Sequence, residues 1–512
     1  MFSAKHASQK KSGNKLPHSK VRQGLTKREY KLTNKIIFDC LGILPYCILV
    51  SFLVTIAGRH VSRFMHACEI RGKIIVFCML LGIYFVPAIA VGCCWSKVSY
   101  DLLRHPPLNN IFYSLLISMK LLPVSVMVLY FVPQTISEQG KFCMELTGEY
   151  SKSSFSRILF AIRNTGRGFN ASLLVVFLLA FSEFDIASFL SVKHWTVSLF
   201  DLNAGGLPVI ESVKLCIFPV FIELTLILVF LFFYRNEKWL KKNEASELDL
   251  KKRPVENYFS WIISFTGLIM LMMLPLLALL RNGTGGFSLV LDGNWFIKET
   301  MTGIIFALTS SLLAFYVSGI VFHRFAHGGM TLQKIFAIST LMLPGLMGTL
   351  PIALVMLFLF QMPGLVLLRD TPLPLLAAMT LFQLPYALFL RYAFSSIVQE
   401  ESVFIAESAL HSEVSRKGAA EILWRLKYAV KFCIFFIIFI PTYFDISISA
   451  VLSPPTMPTV FPRLYNLLHY GQNEKLSATI LLSVIMPVAI FLILIACSRI
   501  IVPILATEEK NC

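Results

Sequence analysis

Long apolar runs, separated by short polar connections, recur along the whole chain. Each run is about twenty residues long, the length that an α-helix needs to cross the hydrocarbon core of a bilayer. The pattern predicts about eleven membrane spans, at residues 36–57, 74–95, 111–133, 169–192, 210–233, 259–280, 301–321, 334–360, 373–397, 429–452 and 477–500. The predicted fold class is therefore an all-α polytopic membrane protein.

Composition agrees with this class, because 56% of the residues are hydrophobic and only 15% are charged. The net charge of +17 could suggest a nucleic-acid partner, but the Lys and Arg residues lie in the connections between apolar runs. Basic connections set the orientation of a membrane protein, so we expect membrane lipid and no nucleic acid. The eleven cysteines include no C-x-x-C pair, and no metal site is predicted.

Polar segments divide the chain into five predicted regions. Residues 1–35 hold ten Lys or Arg and one acid and are predicted to be a disordered tail. The linker 235–257 separates a first transmembrane domain, 36–234, from a second, 258–503, which contains six of the spans. Residues 504–512 form a short C-terminal tail.

The distribution of basic residues orients the spans, with the more basic connections on the cytoplasmic side. Three spans precede the polar connection that follows residue 133, and with that connection in the cytoplasm the basic tail would lie outside. Either one of these runs does not cross the membrane or the tail is an exception to the rule. Within the eighth span, the segment LPGLMGTLP (343–351) predicts a distorted helix beside a pathway, or ordinary packing of small residues.

Two segments, Glu145–Ser191 and Glu407–Ser453, are related in sequence and indicate an internal duplication. Each is a polar, charged stretch that runs into an apolar span. Their alignment pairs Glu149 with Glu413, Ser151 with Ser415, Lys152 with Arg416 and Arg163 with Lys427. After a gap of four residues, it pairs Phe184-Asp185-Ile186 with Phe444-Asp445-Ile446. The polar stretches present one surface twice, which suits a twofold partner, or they simply connect helices along the membrane face.

The second segment resembles the cytoplasmic loop of the permease subunits of binding-protein-dependent ABC importers, which has the form E-A-A-x-x-x-G followed by I-x-L-P. Glu407-Ser408-Ala409 occupies the E-A-A place, and Ile422-Leu423 falls near I-x-L-P. The outer loop and last span, Thr459–Leu482, are similar to those of iron(III)-type members, which often fuse two permease domains; thiamine permeases share that layout. Glu413 and Glu149 stand where the family has glycine.

The resemblance implies a fused two-domain transport subunit in the bacterial inner membrane. Its partners would be a dimer of ATP-binding subunits and a periplasmic or surface solute-binding protein. The chain itself would need no cofactor and would be no enzyme, and it contains no G-x-x-x-x-G-K-[ST] motif. The residues expected to couple it to the ATPase are Glu145, Glu149, Ser151, Lys152, Glu407, Ser408, Ala409, Glu413, Ser415 and Arg416.

Carboxylates inside apolar runs are costly, and they usually face a cavity or a partner. Glu183, Asp185 and Asp445 are therefore predicted to line a translocation pathway that favours a cation. The alternative is that they lie near the outer surface, where they merely cap a helix or are solvated. Asp39, Glu211 and Glu223 are weaker candidates. Iron(III) is the first expectation for the solute and thiamine the second. A permease-derived carrier or scaffold that works without an ATPase is the alternative function.

Overall fold

The structure is a computed structural model that describes residues 18–131, 166–233, 254–326, 331–395, 400–409 and 416–508. Within these ranges the regular elements are all helical and no strand occurs. Seven helices are long and apolar enough to cross a membrane, or up to nine if each of two bent pairs is one span. The chain is thus an all-α, multi-pass membrane protein, as predicted, while the count of eleven spans stays a prediction.

The described residues of the first part of the chain form eight helices. They are α1 (His18–Ala67), α2 (Ile70–Phe85), α3 (Ala88–Leu102), α4 (Pro106–Phe131), α5 (Gly166–Phe181), α6 (Asp185–Phe189), α7 (Trp195–Ala204) and α8 (Val209–Phe233).

The second part begins with α9 (Pro254–Leu268), which continues through a π turn, Ile269–Met273, into α10 (Leu274–Gly283). It goes on with α11 (Phe287–Leu291), α12 (Asn294–Ala326), α13 (Leu332–Leu346), α14 (Thr349–Leu359), a 3₁₀ turn (Val366–Leu368), α15 (Leu373–Ser395), α16 (Glu400–Ala409), α17 (Arg416–Leu423), a π turn (Trp424–Tyr428), α18 (Ala429–Tyr443), α19 (Ser447–Leu452), α20 (Val460–His469) and α21 (Asn473–Glu508).

The two parts repeat one order of elements: a span, a bent pair, a second span, a polar loop, a shorter apolar helix with a break, a short helix and a final span. Their packing repeats as well. Helix α1 packs against α4 and α5, and α12 packs against α15 and α18 in the same way. Helices α9 and α10 are additional, and they cover α2 and α3 of the first part.

Both bent pairs break at residues that interrupt a helix. Helices α2 and α3 meet at 76° before Pro87, which lacks a backbone N–H. Helices α13 and α14 meet at 104° at Gly348, whose φ of +91° is a conformation that glycine adopts without steric cost. This second break falls inside LPGLMGTLP, the segment for which a distorted helix was predicted.

Two of the predicted spans, 169–192 and 429–452, are each divided into two helices. Helix α5 ends at Phe181 and α18 ends at Tyr443, and in both cases a short helix begins a few residues later. Helix α5 is therefore shorter than the run of about twenty residues that a span requires, and α18 reaches that length only together with the helical residues that precede it, the π turn and α17. These two divided spans account for the difference between the eleven predicted spans and the nine that result when each bent pair of the described residues is counted as one span.

Helices α1 and α4 run in the same direction. The ring of His66, at the end of α1, stacks on that of Tyr130, at the end of α4, with 4.3 Å between centroids. Near the other end of α1, Ser198 of α7 donates a hydrogen bond to Asp39 at 2.6 Å. The α2–α3 pair returns the chain between two parallel helices, so α1 starts at the end of the molecule opposite the end of α4.

Candidate functional site

Helix breaks of the two parts meet across the interface between them. Gly348, at the α13–α14 break, lies against Ser182, at the α5–α6 break, so closely that a Cβ atom on Gly348 would be 2.6 Å from the Ser182 carbonyl oxygen. On the other side of the interface, Phe85 at the end of α2 packs edge-on against Phe436 of α18, seven residues before that helix ends, with 5.1 Å between ring centroids. Each bent pair thus packs against the broken helix of the other part.

Glu183 and Asp445 each cap one of the short helices that follow a break. Glu183 accepts hydrogen bonds from the backbone N–H groups of Ile186, at 2.6 Å, and Ala187, at 3.0 Å. Asp445 accepts one from the N–H of Ile448 at 2.7 Å. The first N–H groups of a helix have no partner within the helix, so a carboxylate at this position satisfies them. These two carboxylates allow α6 and α19 to begin inside an apolar environment.

Asp185 has a different role from Asp445, although the sequence alignment pairs them. Its Oδ1 accepts a hydrogen bond from the hydroxyl of Ser447, in the other part of the chain, at 2.7 Å. Asp185 and Asp445 are also close enough to interact electrostatically. The structure therefore brings together all three residues predicted to line a pathway, and in structural role Glu183 is the counterpart of Asp445.

Lys120 of α4 belongs to this cluster and was missed in the sequence analysis. Its Nζ donates hydrogen bonds to the carbonyl oxygens of Tyr84, at 3.0 Å, Ile83, at 3.3 Å, and Val86. The ammonium thereby satisfies carbonyls that the end of α2 leaves open. It also interacts electrostatically with Asp185 and Glu183. The available signal was a single lysine within the apolar run 111–133.

The cluster combines three carboxylates with one ammonium group in an otherwise apolar region. Glu183, Asp185 and Lys120 are each partly accessible, whereas Asp445 is only 5% exposed. Tyr113 adds a hydroxyl, which donates to Glu183 Oε2 at 3.2 Å. Such an arrangement can hold a small polar or cationic solute between the two parts, because excess carboxylate charge favours a cation. Among the described residues, no group of three or more His, Cys, Asp or Glu side chains could hold a metal ion.

The predicted coupling residues lie elsewhere, on the polar loops. Glu145, Glu149, Ser151, Lys152, Glu413 and Ser415 are outside the described residues. Glu407, Ser408 and Ala409 form the end of α16, and Arg416 begins α17. Lys427 Nζ donates to Glu407 Oε1 at 2.6 Å, and this hydrogen bond raises the pKa of Lys427 above its ordinary value. The contact ties α16 to the turn before α18.

Of the weaker candidates, Asp39 is bound by Ser198, as described above, and Glu211 lies partly exposed in the first turn of α8. Glu223, halfway along the same helix, is fully buried. These three side chains are outside the cluster at the helix breaks.

Comparison with known proteins finds no match to this chain among protein-family models, curated proteins or solved structures.

Proposed function

We propose that this chain is the transmembrane permease subunit of an ABC importer, which moves a small solute across the bacterial inner membrane with energy from a separate ATPase. The observation that carries the proposal is the repeated order of elements, in which each part places a polar loop between its second long span and a broken helix. A pair of equivalent loops suits a dimeric ATP-binding partner, because a twofold partner needs two matching surfaces.

We propose that the eleven predicted spans form two permease domains, 36–234 and 258–503, fused in one chain as in the iron(III) and thiamine permeases. Transport would proceed by rocking of the two domains around the cluster at the helix breaks. Discontinuous helices that meet near the middle of the bilayer are a recurrent way to build a solute site in transporters. Contacts between the domains, such as Ser447 with Asp185, would open and close during the cycle.

The surface of α16 supports ATPase docking at the second loop. Phe404 and Ile405 are 70% and 66% exposed, beside the exposed Ser408 and the half-buried Glu407. Exposed apolar side chains next to polar ones are typical of a protein–protein contact. The matching loop of the first domain would supply the second docking point.

For the solute we propose iron(III) first and thiamine second. Both carry positive charge, and the carboxylates outnumber the ammonium group in the central cluster. A periplasmic or surface binding protein would deliver the solute to the outer face.

Co-purification with an ATP-binding subunit from the native membrane tests the proposal. We expect the chain to retain that subunit, and Phe404→Ser together with Ile405→Ser to release it. The matched control is Leu332→Ser, since Leu332 is 71% exposed at the start of α13, outside the repeated loops. Equal retention by all variants would contradict docking at α16.

Charge exchange at the Glu407–Lys427 pair separates docking from internal structure. Glu407→Lys removes the ion pair, and combining it with Lys427→Glu restores the pair in reverse. If Glu407 contacts the ATPase, uptake stays low in the double variant; if the pair only holds α16 in place, the double variant recovers uptake.

The second candidate is an ATPase-independent carrier derived from a permease. The observation that favours it is the presence of Glu413 and Glu149 where the related loop has glycine. Uptake by membrane vesicles without ATP, following an imposed proton gradient, would select this candidate over the importer.

A further inference from the structure

Glu223 is a carboxylic residue in the middle of a membrane-spanning helix, and among the described residues its side chain has no hydrogen-bond partner. It is the fifteenth of the 25 residues of α8, and its relative exposure is 0%. Neither of its carboxyl oxygens has a hydrogen-bond partner within the described part of the chain. Most buried carboxyl groups are paired or hydrogen-bonded, so this side chain requires an explanation.

In the part of the chain that the structure describes, no compensating charge interacts with Glu223. Helix α8 packs against α1, α5 and α7 of the first part and against α13 and α14 of the second. The titratable groups that interact with Glu223 are Cys40 on α1 and Cys216 on α8, and no charged side chain of the described residues on α5, α7, α13 or α14 does so. The nearby carboxyl, Asp39, is bound by Ser198.

An ionised carboxylate in this position would lose its hydration without gaining a partner, which is strongly unfavourable. A protonated carboxyl avoids most of this cost, because it carries no net charge. The packing around Glu223 therefore selects the protonated form.

The buried face of α8 carries further polar groups between Glu223 and the start of the helix. Ser212, Cys216, Pro219 and Glu223 follow one another at intervals of four, three and four residues, so they share one face. The Ser212 hydroxyl donates to Asn203 Oδ1, and Cys216 Sγ donates to the Ser212 carbonyl, both at 3.4 Å. Pro219 has no N–H, so the Leu215 carbonyl lacks its usual helical donor.

We propose that Glu223 is a proton-binding site. In the packing described, its carboxyl holds one proton. It exchanges that proton through the stripe formed by Asn203, Ser212 and Cys216 when α8 moves against α13 and α14. The site lies where the two parts of the chain pack together, so its occupancy depends on their relative position. This inference rests on α8 alone and does not require the proposed ATPase partner.

Dicyclohexylcarbodiimide, applied to the full chain in lipid vesicles, tests the proposal. A protonated carboxyl adds its O–H across one C=N bond of the reagent to give an O-acylisourea, and migration of the acyl group from oxygen to nitrogen leaves a stable N-acylurea. The proton ends on the second nitrogen, so the addition is balanced. Mass spectrometry of the peptide that contains residue 223 measures the product.

We expect labelling of Glu223 at neutral pH that decreases as pH rises and is absent in Glu223→Gln. Glu211, in the first turn of the same helix, is the matched control. We expect it to be labelled far less, because its side chain is partly exposed and lies outside the apolar packing that surrounds Glu223. Ser212→Ala should slow the response of labelling to a pH jump.

Infrared spectroscopy covers the case in which the reagent cannot reach a buried side chain. We expect a protonated-carboxyl C=O band that shifts in D₂O and is missing in Glu223→Gln, while the variant keeps the thermal midpoint of the parent. Absence of both the band and the label would overturn the proposal. Suppression of labelling by Na⁺ or K⁺ at constant pH would also overturn it, since a metal cation would then be the ligand. Labelling that does not change with pH would exclude proton exchange.

Discussion

The hydroxyl of Ser447 lies 2.7 Å from Oδ1 of Asp185, and this hydrogen bond joins residues 262 positions apart in the chain. One of these residues lies in the first helical turn after the break between α5 and α6, and the other in the first turn after the break between α18 and α19. The contact therefore links the two repeated parts at their points of interruption.

A double-mutant cycle on this pair should show strong coupling. We expect Ser447→Ala and Asp185→Ala each to lower the free energy of unfolding by about 1.5–3 kcal/mol, the range for hydrogen bonds to charged groups. The double variant should lose less than the sum, because the second change removes a group already without its partner. Thermal unfolding in detergent measures each variant. Ser453→Ala is the control, since its hydroxyl reaches only the Met457 carbonyl, at 3.4 Å; additive losses would refute the coupling.

Close packing at the α13–α14 break makes Gly348 sensitive to any side chain. Gly348→Ala places a Cβ atom 2.6 Å from the Ser182 carbonyl oxygen and 2.9 Å from its Cβ. Gly364 is the matched control, because its φ of +96° is similar and nothing lies within 4 Å of its would-be Cβ. Both variants place a side chain at a positive φ, so that cost is common to them. The difference between their free energies of unfolding therefore measures the overlap of the new Cβ atom with Ser182, which we expect to cost about 1–3 kcal/mol. Equal thermal midpoints for the two variants would contradict this prediction, because they would show that Ser182 shifts to make room for the new Cβ atom.

Lys120→Met should destabilise the break between α2 and α3. The substitution keeps much of the aliphatic volume but removes the ammonium that binds the carbonyls of Ile83, Tyr84 and Val86. We expect a loss of about 1.5–3 kcal/mol in the free energy of unfolding. Lys97→Met on α3, where the lysine is exposed, should leave the thermal midpoint nearly unchanged. A similar small effect at both positions would mean that the carbonyls find other donors.

Arg463→Met should leave a buried carboxylate without its partner. Arg463 of α20 forms an ion pair with Glu299 of α12, and its guanidinium also lies 4.4 Å from the centre of the Trp295 ring. The Glu299 side chain is 5% exposed and that of Arg463 is 44% exposed, so water screens the pair in part. We therefore expect a cost of about 1–3 kcal/mol, which Glu299→Gln in the same chain should partly relieve.

The exposed neighbour Lys298 provides the control for that experiment. Lys298→Met removes a positive charge one residue from Glu299, and we expect little change in the thermal midpoint. If Lys298→Met and Arg463→Met behaved alike, the effect would come from net charge rather than from the ion pair.

The amino-acid sequence by itself determined the membrane class, most of the helices and the repeated segments. Hydropathy is a property of each residue and its near neighbours, so apolar runs such as 111–133 and 210–233 correspond closely to α4 and α8. The residues Glu183, Asp185 and Asp445 also stood out, because a carboxylate within an apolar run is costly wherever the chain places it.

Only the tertiary structure decided where helices break and which side chains meet. An average over twenty residues does not register a single interruption, so the divisions after Phe181 and Tyr443 were hidden within predicted spans. The role of Lys120 depends on carbonyls more than thirty residues away, and that of Asp185 on a hydroxyl in the other part of the chain. Hydrogen bonds act over about 3 Å in space whatever the separation in sequence, and packing alone brings such partners together.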